Sequence, residues 1–155
     1  MALSIKISDT LSLTTGDIIT LQADDGTFLK RVSGMRLGTK VHSTLMCHQN
    51  DEFSRFVVNV VDSNRITLKA DDGTYWRRYY GAMKEPFSTF IMLYNSPDEY
   101  SYFTVTPQGS NKITLKAENG QFLKRYYNPG YAKVSFIISN QSVADEFSLF
   151  TVRKA

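Results

Sequence analysis

A thirteen-residue string occurs three times along this chain at a constant step. It reads ITLQADDGTFLKR at 19–31, ITLKADDGTYWRR at 66–78 and ITLKAENGQFLKR at 113–125, so each copy starts 47 residues after the last. A second string keeps the same step: DEFSRFVV from Asp51, DEYSYFTV from Asp98 and DEFSLFTV from Asp145. A fixed period without insertions means one supersecondary unit used three times. The 155 residues then form a single domain over 1–155, with repeats at approximately 1–50, 51–97 and 98–155.

Within one repeat, Ile19 and Leu21 alternate with Thr20 and Gln22, the period of a half-buried strand. Asp25-Gly26, Asp72-Gly73 and Asn119-Gly120 favour positive φ and suit a tight hairpin. The strand resumes at Phe28. Further strands are expected at Val41–Leu45, Ser88–Leu93 and Val134–Ile138, and at the Phe-x-Val elements beginning with Phe56, Phe103 and Phe150. Helical spacing is nowhere sustained. The class is all-β, with about twelve strands in three repeats of 47 residues. Three units are too few for a closed propeller, which has roughly four to eight blades. Residues 11–18 align with 58–65 and 105–112, so Leu11 falls in the column of Val58, Val105 and Val152. First and last strands can then pair, closing a ring and removing sheet edges.

The hairpin signature I-x-L-x-A-[DE]-[DN]-G-x-[FY]-[LW]-[KR]-R, with Phe-x-Val ending each unit, resembles that of the β-trefoils over essentially the whole chain. The resemblance implies a pseudo-threefold, six-stranded barrel closed at one end by three hairpins. The pattern is similar to the amaranthin-type agglutinins of plants, which are lectins, and to fascin-like and hisactophilin-like actin-binding trefoils. A Gln-x-Trp signature of the ricin type is absent. Two histidines are a departure from the His-rich hisactophilin pattern.

Composition narrows the function classes. A net charge of +3 is too weak to indicate nucleic acid. No apolar run reaches the roughly 18 residues of a membrane span. The start, MALSIKISDT, lacks the apolar stretch of a secretory signal, and a single cysteine excludes an internal disulfide. A cytosolic or nucleocytoplasmic location is the expectation.

No catalytic, cofactor or metal constellation is read here. Cys47 and His48 are adjacent, and adjacent strand residues point to opposite faces, which disfavours a nucleophile–base pair. The acidic pairs at 51–52, 98–99 and 145–146 come in threefold copies, which suggests a turn with Asp accepting backbone N–H groups. The basic pairs Lys30-Arg31, Arg77-Arg78 and Lys124-Arg125 are either a six-charge ring for an acidic partner or structural, the arginines bonding local carbonyls. Trp76 sits in the column of Leu29 and Leu123 and is read as core.

The candidate site rests on lost symmetry. Scaffold columns persist in every copy, whereas site residues need not. Tyr79, Tyr80, Tyr126, Tyr127, Asn128 and Tyr131 have no counterpart in repeat one, where Val32-Ser33-Gly34 stand. Tyrosine offers a flat apolar face to a sugar and a hydroxyl for hydrogen bonding. The leading expectation is a non-enzymatic lectin whose partners are glycans or glycoproteins. The resemblance to amaranthin-type agglutinins implies a homodimer. The alternatives are a fascin- or hisactophilin-type module for actin or another acidic partner, and a protease inhibitor using one of the loops Ser33–Lys40, Gly81–Pro86 or Asn128–Lys133.

Overall fold

The structure is a computed structural model that describes residues 3–36, 39–47, 50–78, 91–128, 134–141 and 143–155. Its strands are β1 (Ser4–Lys6), β2 (Ser12–Thr14), β3 (Ile18–Gln22), β4 (Phe28–Arg36), β5 (Thr39–Cys47), β6 (Phe56–Val60), β7 (Arg65–Lys69), β8 (Tyr75–Arg78), β9 (Ile91–Tyr94), β10 (Phe103–Pro107), β11 (Lys112–Lys116), β12 (Phe122–Asn128), β13 (Val134–Gln141) and β14 (Phe150–Lys154). Short 3-10 turns stand at Glu52–Ser54, Glu99–Ser101 and Glu146–Ser148.

Six strands close on themselves. β3 pairs with β6, β6 with β7, β7 with β10, β10 with β11, β11 with β14, and β14 returns to β3. The closure is antiparallel throughout, from Thr151 opposite Gln22 to Lys154 opposite Ile19. A ring of this kind leaves no edge for another chain to extend. Six further strands form three hairpins, β4–β5, β8–β9 and β12–β13, joined through β5, which pairs with both β13 and β9. A closed barrel capped by three hairpins is a β-trefoil-like fold.

The repeated sequence columns become the core. Ile19, Ile66 and Ile113, Leu21, Leu68 and Leu115, and Phe56, Phe103 and Phe150 are all fully buried. Thr20, Thr67 and Thr114 between them are buried as well, so these strands are covered on both faces rather than half-buried. One backbone bond recurs at the 47-residue step: Val58 N donates to Asp17 O, Val105 N to Asn64 O and Val152 N to Asn111 O, at 2.8, 2.8 and 2.9 Å.

Two expectations need correction and one is refined. The Asp-Gly motif does close a tight turn between antiparallel strands, with Ala23 N bonded to Thr27 O at 2.8 Å, but the ladder beside it is short. β3 and β4 share one register pair, Gln22 with Phe28, and the same holds for Lys69 with Tyr75 and Lys116 with Phe122. The motif is a corner where the chain leaves the barrel for the cap, with Gly26, Gly73 and Gly120 at φ of 85, 86 and 80°. Next, Leu11 lies in no strand. The C-terminal β14 already covers that edge of β3, so the N-terminal segment folds into its own ribbon, β1–β2. That ribbon sends Ile5 and Leu13 into the core, and Gly16 N bonds Val58 O at 2.8 Å just after it. Lastly, the described part of Ser33–Lys40 is strand rather than loop, because β4 and β5 stay in register out to Arg36 opposite Thr39. Gly81–Pro86 and most of Asn128–Lys133 lie outside the described residues.

Candidate functional site

The basic pairs resolve into two sets of ion pairs, and both serve the scaffold. Arg31, Arg78 and Arg125 each reach the first acidic residue of the next corner. Arg31 grips Asp71 through Nε–Oδ1 at 2.6 Å and Nη2–Oδ2 at 3.1 Å. Arg78 donates from Nε to Glu118 Oε1 at 2.5 Å. Arg125 grips Asp24 at 2.8 and 3.0 Å. Unit one thus holds unit two, two holds three, and three holds one. Two parallel N–H···O bonds between ions are about twice as strong as neutral ones. The expected partners were local carbonyls; these are carboxylates of the neighbouring unit.

The other basic column pairs with the acidic turns. Lys30 meets Asp51 at 2.8 Å, Arg77 meets Asp98 at 2.9 Å and Lys124 meets Asp145 at 3.7 Å. Each of these aspartates also caps its 3-10 turn, accepting from the backbone N–H of Phe53, Tyr100 or Phe147. This is the turn role read from the sequence. Lys30 and these bonds hold the Asp51 carboxyl below its ordinary pKa. The ring of six cations is therefore matched by six carboxylates, which removes the main support for docking an acidic protein there.

Trp76 is core, as its column predicts. It is fully buried, with its ring edge-on to Phe56 at 5.0 Å and to Phe103 at 6.1 Å. Its Nε1–H finds no hydrogen-bond partner among the described residues.

Of the tyrosines singled out, Tyr126 and Tyr127 continue β12 together with Asn128, with backbones opposite Phe136, Ser135 and Val134. Tyr79, Tyr80 and Tyr131 lie outside the described residues. No contact among these six is described. His42 and Cys47, five positions apart on β5, sit opposite Ser33 and Phe28. His48 lies outside the described residues.

The described residues instead bring together a tyrosine set that the sequence reading passed over. Tyr75 on β8 stands directly opposite Tyr94 on β9. Arg77, two residues along the same face of β8, lies 4.4 Å from the Tyr94 ring and 4.9 Å from the Tyr100 ring. Lys69 Nζ is 6.0 Å from the Tyr75 ring. Burial works against the Arg77 charge, but Asp98 and then Tyr94 outweigh it and hold its pKa raised. The other units carry different residues at these positions: Phe28 and Phe122 for Tyr75, Cys47 and Gln141 for Tyr94, Phe53 and Phe147 for Tyr100, and Lys30 and Lys124 for Arg77. The three tyrosines and Arg77 are half-buried, leaving part of each face to solvent. The signal was present in the sequence as three Tyr substitutions against the other copies, but they are scattered over 26 positions and only the fold gathers them.

A concave feature lies elsewhere, at the junction of units three and one. It is a cleft of about 360 Å3 between the Ala23–Gly26 corner, Lys112, Glu146, Leu149 and Thr151.

No family model matches the chain, and no curated protein matches it in sequence. Solved structures do match in fold. A Caenorhabditis elegans protein of unknown function is 18% identical at a TM-score of 0.73, over 95% of this chain and 98% of its own. ThreeFoil, a designed threefold symmetric protein, is 11% identical at 0.69, over 89% of this chain and 99% of its own. A Polyporus squamosus lectin, solved with the glycan Neu5Aca2-6Galb1-4GlcNAc, is 14% identical at 0.66, over 92% of this chain and 50% of its own. Identities this low establish the β-trefoil-like fold alone. Among the described residues, no helix is long and apolar enough to cross a membrane.

Proposed function

We propose that this protein is a non-enzymatic carbohydrate-binding protein that recognises glycans on the tyrosine-bearing face of unit two. The observation that carries the reading is the Tyr75–Tyr94–Arg77–Tyr100 cluster, a rigid polar-aromatic surface present in one unit of three. A tyrosine face takes the C–H side of a sugar ring while its hydroxyl bonds to sugar hydroxyls. Arg77, pinned by Asp98 and flanked by two rings, presents its donors with little entropy left to lose. Tyr79 and Tyr80, next along the chain after Arg78, remain candidate site residues. Tyr126, Tyr127, Asn128 and Tyr131, in or next to the matching columns of unit three, remain candidates for a further site. The lectin among the structural neighbours supports the reading at the level of fold. Single-site binding would be weak, with avidity from several sites or from a homodimer. Such a lectin fits the cytosolic or nucleocytoplasmic expectation.

A glycan array followed by calorimetric titration tests it. Saturable binding of at least one glycan in the millimolar range or tighter is expected. Failure to bind any glycan at millimolar concentration would remove the proposal.

A further inference from the structure

The cleft at the junction of units three and one marks a place where the threefold pattern fails, since the matching positions carry different residues at the other two junctions and stack on one another at one of them. At the junction of units two and three, the positions of Lys112 and Leu149 hold Arg65 and Tyr102. There the guanidinium of Arg65 lies 5.3 Å from the Tyr102 ring, so the two side chains stack into a plug. At the junction of units one and two, the same positions hold Ile18 and Arg55. Lys112 and Leu149 form no such plug, and the space of about 360 Å3 stays open. Gln22 adds a second departure, since Lys69 and Lys116 take its column. Its amide is held in place: Nε2 donates to Gly26 O at 3.0 Å and Oε1 accepts from Arg153 at 2.6 Å.

The lining limits what could bind. Asp24 and Glu146 disfavour an anion, and Lys112, with Arg125 behind Asp24, disfavours a cation. What remains is a neutral ligand whose groups both donate and accept. Glu146 accepts, Lys112 donates, Thr151 does both, and Leu149 supplies one apolar wall. A sugar ring has this pattern of hydroxyls over a C–H face. The volume is at the small end of ligand pockets.

We infer that this cleft is a second saccharide site, separate from the unit-two tyrosine face, so that one chain is bivalent. The inference rests on the glycan-binding reading above and extends it to a different part of the barrel. Bivalence would let a single chain bridge two glycans and gain affinity without any new contact.

The test titrates isotope-labelled protein with methyl galactoside, methyl glucoside, methyl mannoside and N-acetylglucosamine, and follows backbone amide shifts. The expected result is two separate groups of moving amides, one at Gly26, Lys112 and Thr151 and one at Tyr75 and Tyr94. The variant Lys112→Arg/Leu149→Tyr copies the plug that the chain already builds at the next junction. It should weaken binding at the first group by about tenfold or more and leave the second unchanged. Gln22→Lys, also copied from the other units, is the milder variant should the double substitution disturb the melt. Shifts confined to Tyr75 and Tyr94 would overturn the second site and leave the lectin reading standing. Shifts confined to the cleft would remove the tyrosine face as a glycan site and overturn the bivalence. Cleft shifts that persist in both variants, or no shifts with any of the sugars, would overturn the inference.

Discussion

Arg125 and Asp24 stand 101 positions apart in the chain and meet through two parallel hydrogen bonds of 2.8 and 3.0 Å. This is the contact that turns a linear triplet of repeats into a ring. Its counterparts, Arg31 with Asp71 and Arg78 with Glu118, each span 40 positions. The same three arginines lie over the aromatic ring of their own acidic turn, at 5.2 Å for Phe53, 5.5 Å for Tyr100 and 5.3 Å for Phe147.

Replacing Arg125 with Gln should therefore destabilise the fold by about 1–2 kcal/mol, the range for a charge-assisted bond discounted for partial exposure. Urea melts of Arg125→Gln, Asp24→Asn and the double variant would show the two residues coupled. Additive losses would mean that the clasp contributes nothing as a pair. Arg78, the most buried of the three, should show the largest single loss.

Phe103→Ala should cost about 3–5 kcal/mol in a denaturant melt, since the ring is fully buried against Trp76. A loss under about 1 kcal/mol would mean that the cavity collapses, or that the core is centred elsewhere.

Trp76→Leu installs the residue that the other two units carry, yet it should still destabilise by about 2–4 kcal/mol. Phe56 packs edge-on against the indole at 5.0 Å and would face a void. Trp76→Phe should cost less, because a phenyl ring leaves a smaller void beside Phe56, while both variants lose the indole N–H that lacks a partner. If Leu and Phe prove equally costly, the void is not what sets the loss.

Acid should weaken the fold at a defined point. Lys30 leads the contacts that lower the Asp51 pKa, and Arg65 leads those at Asp62. At Asp25 and Asp17, burial acts to raise the pKa, but the bonds from Thr27 and from Thr14 with Lys154 outweigh it and leave the pKa lowered. Carboxyls with depressed folded pKa values contribute stability above their unfolded pKa and lose it as pH falls through the folded one. The melting temperature should hold from neutral pH to about 4 and fall below it. A fall already complete at pH 5 would point to other groups.

The sequence carried the scaffold well because scaffold constraints repeat. Ile, Leu and Phe columns at a 47-residue step could be assigned to a core without coordinates, and so could Trp76. The capping aspartates were legible for the same reason. What escaped was any contact between units. Arg31 offers no sign in the sequence that its partner is Asp71 rather than a local carbonyl, since that pairing exists only once the barrel closes. The N-terminal ribbon escaped because residues 4–10 carry neither repeated string, and alignment drew Leu11 into a column that β14 fills. At the candidate site, the contiguous tyrosines 79–80 and 126–127 stood out by adjacency. Tyr75, Tyr94 and Tyr100 were hidden by distance along the chain, although comparing the three columns side by side would have exposed them.

The most direct test converts unit two into unit three at the tyrosine face, with Tyr75→Phe, Tyr94→Gln and Tyr100→Phe together. Each new residue already occupies the matching position elsewhere in this fold, so the thermal melt should stay close to that of the unaltered protein. Calorimetric titration with the best array glycan should then show binding at the unit-two face abolished. A variant that melts normally and binds that glycan with unchanged enthalpy and affinity would contradict the account.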